Sequence, residues 1–103
     1  MAPGKGLPLR YLPAAQEDLL AILEWIARDS PSRAVTFLDR LDERISRLER
    51  QPHLGRVPRN PTLRTYGYRV LVVESYLVFY VISPRRIEIH RVVHGSRDLD
   101  TLV

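Results

Sequence analysis

At 103 residues, with 45% apolar and 27% charged side chains, the chain has the composition of one globular domain around one core and is too short for two. It has no cysteine, which excludes disulfides and thiolate metal sites and accords with a cytoplasmic location. The net charge of +4 is uneven: residues 1–49 hold 7 Lys/Arg against 8 Asp/Glu, whereas residues 50–103 hold 9 against 4.

A basic half of this kind attracts nucleic acid or an acidic protein segment, although 15 of the 16 basic residues are arginine, a bias that codon usage also produces. No apolar run approaches the ~18 residues of a membrane span. His53, His90 and His94 lack the spacing to carboxylates that a metal site requires, so neither a metal nor a cofactor is expected.

In chain order, MAPGKGLPLR lacks the apolar run of a secretory leader, and residues 1–7 read as a flexible lead-in. Residues 8–12 (PLRYL) suit a short strand. From Pro13 a helix over 14–29 follows, with Ala15, Leu19, Ile22, Leu23 and Ile26 on one buried stripe and Glu17 and Asp18 expected in its first turn. Ser30-Pro31 is a start signal, Ser as N-cap and Pro at the first helical position. A second helix over 31–50 then buries Ala34, Phe37, Leu38, Leu41, Ile45 and Leu48. So short a connection makes a helical hairpin, whose outer face carries Arg40, Arg44 and Arg47, with Glu43–Arg47 spaced to pair.

Residues 51–65, with three prolines and a glycine, read as a connecting loop. Three strands are expected over 66–93: YRVLVV, YLVFYVI and RIEIHRVV. Residues 94–103 form a C-terminal tail. The fold class is α+β, a short N-terminal strand and a helical hairpin followed by a three-stranded antiparallel meander, with the helices on one face of the sheet.

In YLVFYVI both alternating sets are apolar: Tyr76, Val78 and Tyr80 on one side, Leu77, Phe79 and Val81 on the other. Two helices cover one face only. The second face is left to terminal segments, a second copy or a different protein, and a different protein is the favoured reading. Strict alternation places Arg91 with Ile87 and Ile89 on the core face, a position that demands a bulge or a paired carboxylate. Trp25 is expected at the helix–sheet edge. In HRVVHGSRDL, His94 has a proton to exchange near neutral pH, Gly95 permits a turn and Asp98 suits a pair or a cap.

The element order and four stretches, AAQEDLLAILEWIARDSPSRAVTFLDRL, QPHLGR, YRVLVVESYLVFYVI and IEIHRVVHGSRDL, resemble the RelE/ParE superfamily of bacterial toxin–antitoxin toxins over residues 8–102. RelE-like members cleave messenger RNA on the ribosome, which requires a base, an acid and cations around the phosphate. Of the basic positions this pattern implies, Arg69 and Arg97 are met, while two others fall on Leu71 and Leu77; the C-terminal tyrosine position falls near Val103. The resemblance is therefore closer to ParE-like members, which act on DNA gyrase by binding.

It implies a cytoplasmic type II toxin without catalytic chemistry, neutralised by a ParD-like antitoxin in a hetero-oligomer, with promoter DNA reached only through the antitoxin. The implied antitoxin contacts are Leu71, Val73, Leu77, Phe79 and Val81; target contacts are Arg69, Arg91, His94 and Arg97. The rival expectation is a ribosome-dependent nuclease using Arg69, His94 and Arg97, and a third is a non-toxic antitoxin-binding member.

Overall fold

The computed structural model describes residues 6–95. Arg97, Asp98 and Val103 lie outside the described residues. Strand β1 (Leu9–Tyr11) leads into helices α1 (Pro13–Asp29) and α2 (Pro31–Ser46), two short 3₁₀ turns, a brief helix α3 (Pro61–Thr65), and strands β2 (Tyr68–Val73), β3 (Tyr76–Ile82) and β4 (Ile87–His94). The architecture is the expected α+β one.

Ser30 caps α2 by accepting from the Arg33 backbone N–H at 3.3 Å, and Glu43 pairs with Arg47 at 2.6 Å. Helix α1 begins at Pro13, so its first turn holds no acidic residue and Glu17 and Asp18 fall in the second. Leu7 is not part of a detached lead-in: its N–H donates to Glu49 O at 2.8 Å and its side chain packs on the core.

The sheet runs in the order β1-β4-β3-β2. β1 lies parallel to β4, with Leu9 opposite Ile87, and the remaining pairs are antiparallel. The helical hairpin covers one face, where Phe37, Leu41, Ile45 and Leu48 meet Leu71, Val73, Val78, Tyr80, Ile87, Ile89 and Val92. Leu41, Val78 and Tyr80 are wholly buried there. Trp25 stands at the helix–sheet edge, beside Ile22, Tyr76 and His94, but is not packed there: it stays 68% exposed, with the Arg28 guanidinium 5.8 Å from its ring.

The expected loop over 51–65 contains a folded element. Asn60 Oδ1 accepts from the Leu63 N–H at 3.1 Å, and Pro61 stands at the first helical position. This is the Ser30-Pro31 signal repeated with Asn as the cap. Helix α3 inserts Leu63 against Val70, Phe79 and Val93, so this chain itself covers part of the second face.

Candidate functional site

The second face of the sheet is the candidate site. Cross-strand partners project to the same side, and the register assigns Tyr68, Val70 and Val72 from β2, Leu77, Phe79 and Val81 from β3, and Glu88, Arg91 and Val93 from β4. This corrects two residues. Leu71 and Val73 pair with Val78 and Tyr76, pack into the helix-side core and are 3% and 1% exposed. They cannot touch a partner on the second face. The residues beside them, Val70 and Val72, point there instead; four consecutive apolar residues, Val70 to Val73, leave the choice of face to the register, which hydrophobicity alone does not set.

Leu77 and Val81 are half-buried and Val72 is 39% exposed. Phe79 is 3% exposed, because Leu63 and Tyr68 pack over it. Its ring meets that of Tyr68 edge-on, centroids 6.3 Å apart.

A hydrogen-bonded row crosses this face. Arg86 Nε donates to Glu88 Oε2 at 2.9 Å, Glu88 Oε1 lies 3.3 Å from His90 Nε2, and His90 Nδ1 lies 2.9 Å from the Tyr68 hydroxyl. The row ties β4 to β2 over the top of β3. Hydrogen bonds from Arg86 and then His90 hold the Glu88 carboxyl below its ordinary range. Burial pushes the Tyr68 phenol up, against the opposing pull of Arg91.

Arg91 does not share the core face with Ile87 and Ile89. The register shifts between Phe79 and Tyr80, which pair with Arg91 and Ile89 respectively, so His90 is an extra residue and everything after it changes side. Arg91 thereby faces outward and Val92 returns to the core. The guanidinium reaches the Asp18 carboxylate on α1 through Nε at 2.7 Å and Nη2 at 3.0 Å, and this hydrogen bonding holds it firmly protonated. Asp18 also accepts from the Val92 N–H at 2.9 Å, closing the edge of β4 where β1 has ended. The bulge and the paired carboxylate, which the sequence pattern offered as alternatives, are both present.

The other expected cations are placed apart. Arg69 pairs with Tyr80 and therefore stands on the helix side, where its guanidinium donates to Gly55 O at 2.7 Å and His53 O at 3.2 Å. Tyr80 completes this clamp: its hydroxyl donates to Pro52 O at 2.7 Å and accepts from the Gly55 N–H at 2.9 Å. A Cβ on Gly55 would stand 2.7 Å from both the Tyr80 hydroxyl and Val70 O, so only glycine fits. His94 pairs with Tyr76 at the other end of β3, their rings 5.3 Å apart. Four residue steps of strand, from Tyr76 to Tyr80, separate the partners of His94 and Arg69, about 13 Å, so these two do not form one catalytic centre.

Beside His94 a groove lined by Trp25, Arg28, Arg33, Phe37, Arg40 and Tyr76 is bridged by Arg40 and Glu74 at 2.8 Å. Among the described residues no three His, Asp or Glu side chains stand together as metal ligands, and no helix is long and apolar enough to cross a membrane.

Comparison with known proteins agrees with this architecture. Residues 9–99 match the family model described as the ParE toxin of the type II toxin–antitoxin system, parDE. No curated protein matches significantly. Among solved structures, a chain of the chromosomal ParDE toxin–antitoxin system from P. aeruginosa superposes with a TM-score of 0.71 at 21% identity, over 87% of this chain and 97% of that one; at that identity the likeness is one of fold.

Proposed function

Because the chain belongs to the ParE toxin family of type II toxin–antitoxin systems, we propose that it is a growth-inhibiting toxin that acts by binding DNA gyrase and is neutralised by a cognate antitoxin seated on the second face of the sheet. The observation that carries this reading is the pair of half-buried aliphatic side chains, Leu77 and Val81, beside Val72 at 39% exposure, on a face that α3 covers only in part. A partner segment that folds on binding gains most from such a shallow apolar strip. Phe79 supports the strip from beneath. Arg91, locked to Asp18, sets its border.

Binding rather than cleavage is favoured by where the cations stand: Arg69 is engaged by loop carbonyls on the helix side, away from His94. The reading is tested with the purified toxin and the protein encoded beside it. Leu77→Asp should weaken their complex by at least about a hundredfold, since a carboxylate is then desolvated without a partner, while toxin alone inhibits gyrase supercoiling. Unchanged antitoxin affinity in Leu77→Asp would remove the face assignment. Cutting of ribosome-bound messages that disappears in His94→Ala would replace the gyrase reading with a nuclease one.

A further inference from the structure

The net charge of this molecule is concentrated in one segment. Residues 51–73 contain Arg56, Arg59, Arg64 and Arg69 and no acidic residue, so all twelve acidic residues and twelve of the sixteen basic ones lie elsewhere and balance. Arg69 is spent on the loop carbonyls. The guanidinium groups of Arg56, Arg59 and Arg64 are exposed and hold no carboxylate among the described residues, whereas Arg40 on α2 and Arg47 just after it each do.

These three arginines sit on a pinned scaffold rather than a slack loop. The buried end is fixed by Tyr80 and Arg69. Arg56 exchanges both backbone bonds with Val70, at 2.9 and 2.8 Å, and α3 is capped by Asn60 and anchored by Leu63. Holding unneutralised like charges in a fixed array costs stability through repulsion, and such an array is preorganised for an anionic partner. Exposed apolar groups stand among them: Leu54 at 42%, Val57 at 49% and Tyr66 at 64%. A nucleic-acid backbone offers nothing to Leu54 or Val57; a protein segment carrying both carboxylates and apolar side chains satisfies all of these groups.

The backbone indicates how such a segment would run. Arg56 occupies the lane beside β2 at Val70, the only bridge of that kind among the described residues, and β2 is the last strand of the sheet on that side. The backbone of Val72, two residues further along, faces the same edge, and the residue is 39% exposed. An extended segment entering there adds to the sheet edge with its end against Arg56.

We infer that the lobe of Arg56, Arg59 and Arg64 docks an acidic, extended segment with apolar side chains along the outer edge of β2, supplied by the same antitoxin that covers Leu77 and Val81. The inference rests on the antitoxin reading for the identity of the donor. Leu63, packed between lobe and face, makes the two surfaces continuous.

The test is fluorescence anisotropy on the full chain with three probes: a labelled synthetic peptide alternating Glu with Leu and Val, its Gln-for-Glu counterpart, and a short duplex DNA. The Glu peptide should bind, and raising salt from about 50 to about 300 mM should weaken it about tenfold. The Gln peptide and the Arg56→Glu, Arg59→Glu, Arg64→Glu triple variant should each lose about tenfold or more in affinity, and single Arg→Gln variants, which leave the fold intact, should lose a graded part. Unchanged peptide affinity in the triple variant, or tighter binding of DNA than of the Glu peptide, overturns the inference. The two readings fail separately. If Leu77→Asp abolishes antitoxin binding and the triple variant binds it normally, the lobe assignment falls and the face stands; the opposite pattern removes the face and keeps the lobe.

Discussion

The two faces of this sheet are buried by different means. On the helix side, a 17-residue and a 16-residue helix lay a continuous apolar stripe over every strand, and twelve buried residues form one cluster. On the other side a five-residue helix contributes one leucine, and the buried cluster has four members. The second face completes its cover with polar chemistry, the Arg86–Glu88–His90–Tyr68 row. Hydrogen bonds close over Phe79 without extending an oily surface into water, leaving Leu77, Val81 and Val72, among the described residues of this face, for a partner. One face is thus devoted to stability and the other is covered no further than binding permits.

Truncating the same residue type on each side measures that difference. Leu41→Ala, at a wholly buried site, should cost about 2–5 kcal/mol, near the upper end because the surrounding helices and sheet cannot collapse into the cavity. Leu63→Ala should cost about 2 kcal/mol, since the short α3 can settle onto β2. Urea unfolding monitored by circular dichroism reads both. Equal losses would mean that α3 belongs to the main core and that the second face is as firmly built as the first.

The two tyrosine hydroxyls give a smaller contrast of the same kind. Tyr80→Phe strips buried Gly55 N and Pro52 O of their partner and should cost about 1–3 kcal/mol, with faster amide exchange at Gly55. Tyr68→Phe leaves half-buried His90 able to reach water, and should cost under about 1 kcal/mol. A Tyr68→Phe variant as damaged as Tyr80→Phe would show the polar row to be a core element rather than a cover.

The same asymmetry decides what could be read from the sequence. Both long helices and the three C-terminal strands are legible because each repeats an apolar period many times and averages out local exceptions, and the Ser30 cap is legible from its Ser-Pro signal. Single-residue events are not. The extra residue at His90 reverses the facing of Arg91 and Val92, and nothing in RIEIHRVV marks which residue is supernumerary. Leu71 and Val73 sit in an unbroken apolar run whose two faces look alike until the register is known. Asn60-Pro61 was legible in principle, being the signal that placed α2, but three prolines and a glycine conceal a helix of only five residues. That omission matters for the site, because α3 is what partly covers the second face and carries Arg64.

The most delicate contrast between the faces lies in their response to pH. On the second face, hydrogen bonds from Arg86 and His90 lower the Glu88 pKa from the ordinary value of 4.5. Above that value both the folded and unfolded chains carry the charge and the stabilisation is fully present; as pH falls through the lowered folded value it is lost. On the helix side, burial first and the Asp42 charge second push the Tyr11 phenol up from 10.0 to about 12. Below pH 10.0 the phenol is neutral in both states. Above it the unfolded chain ionises first, so stability declines until pH passes about 12. Glu88→Gln should therefore flatten only the acid limb of the urea midpoint against pH, and Tyr11→Phe only the alkaline limb. The acid effect should be the shallower, because the Glu88 side chain remains partly in water and is screened there. Acid limbs that coincide for wild type and Glu88→Gln would show that the polar row adds order to the second face without adding stability, and the cover over Phe79 would then rest on α3 alone.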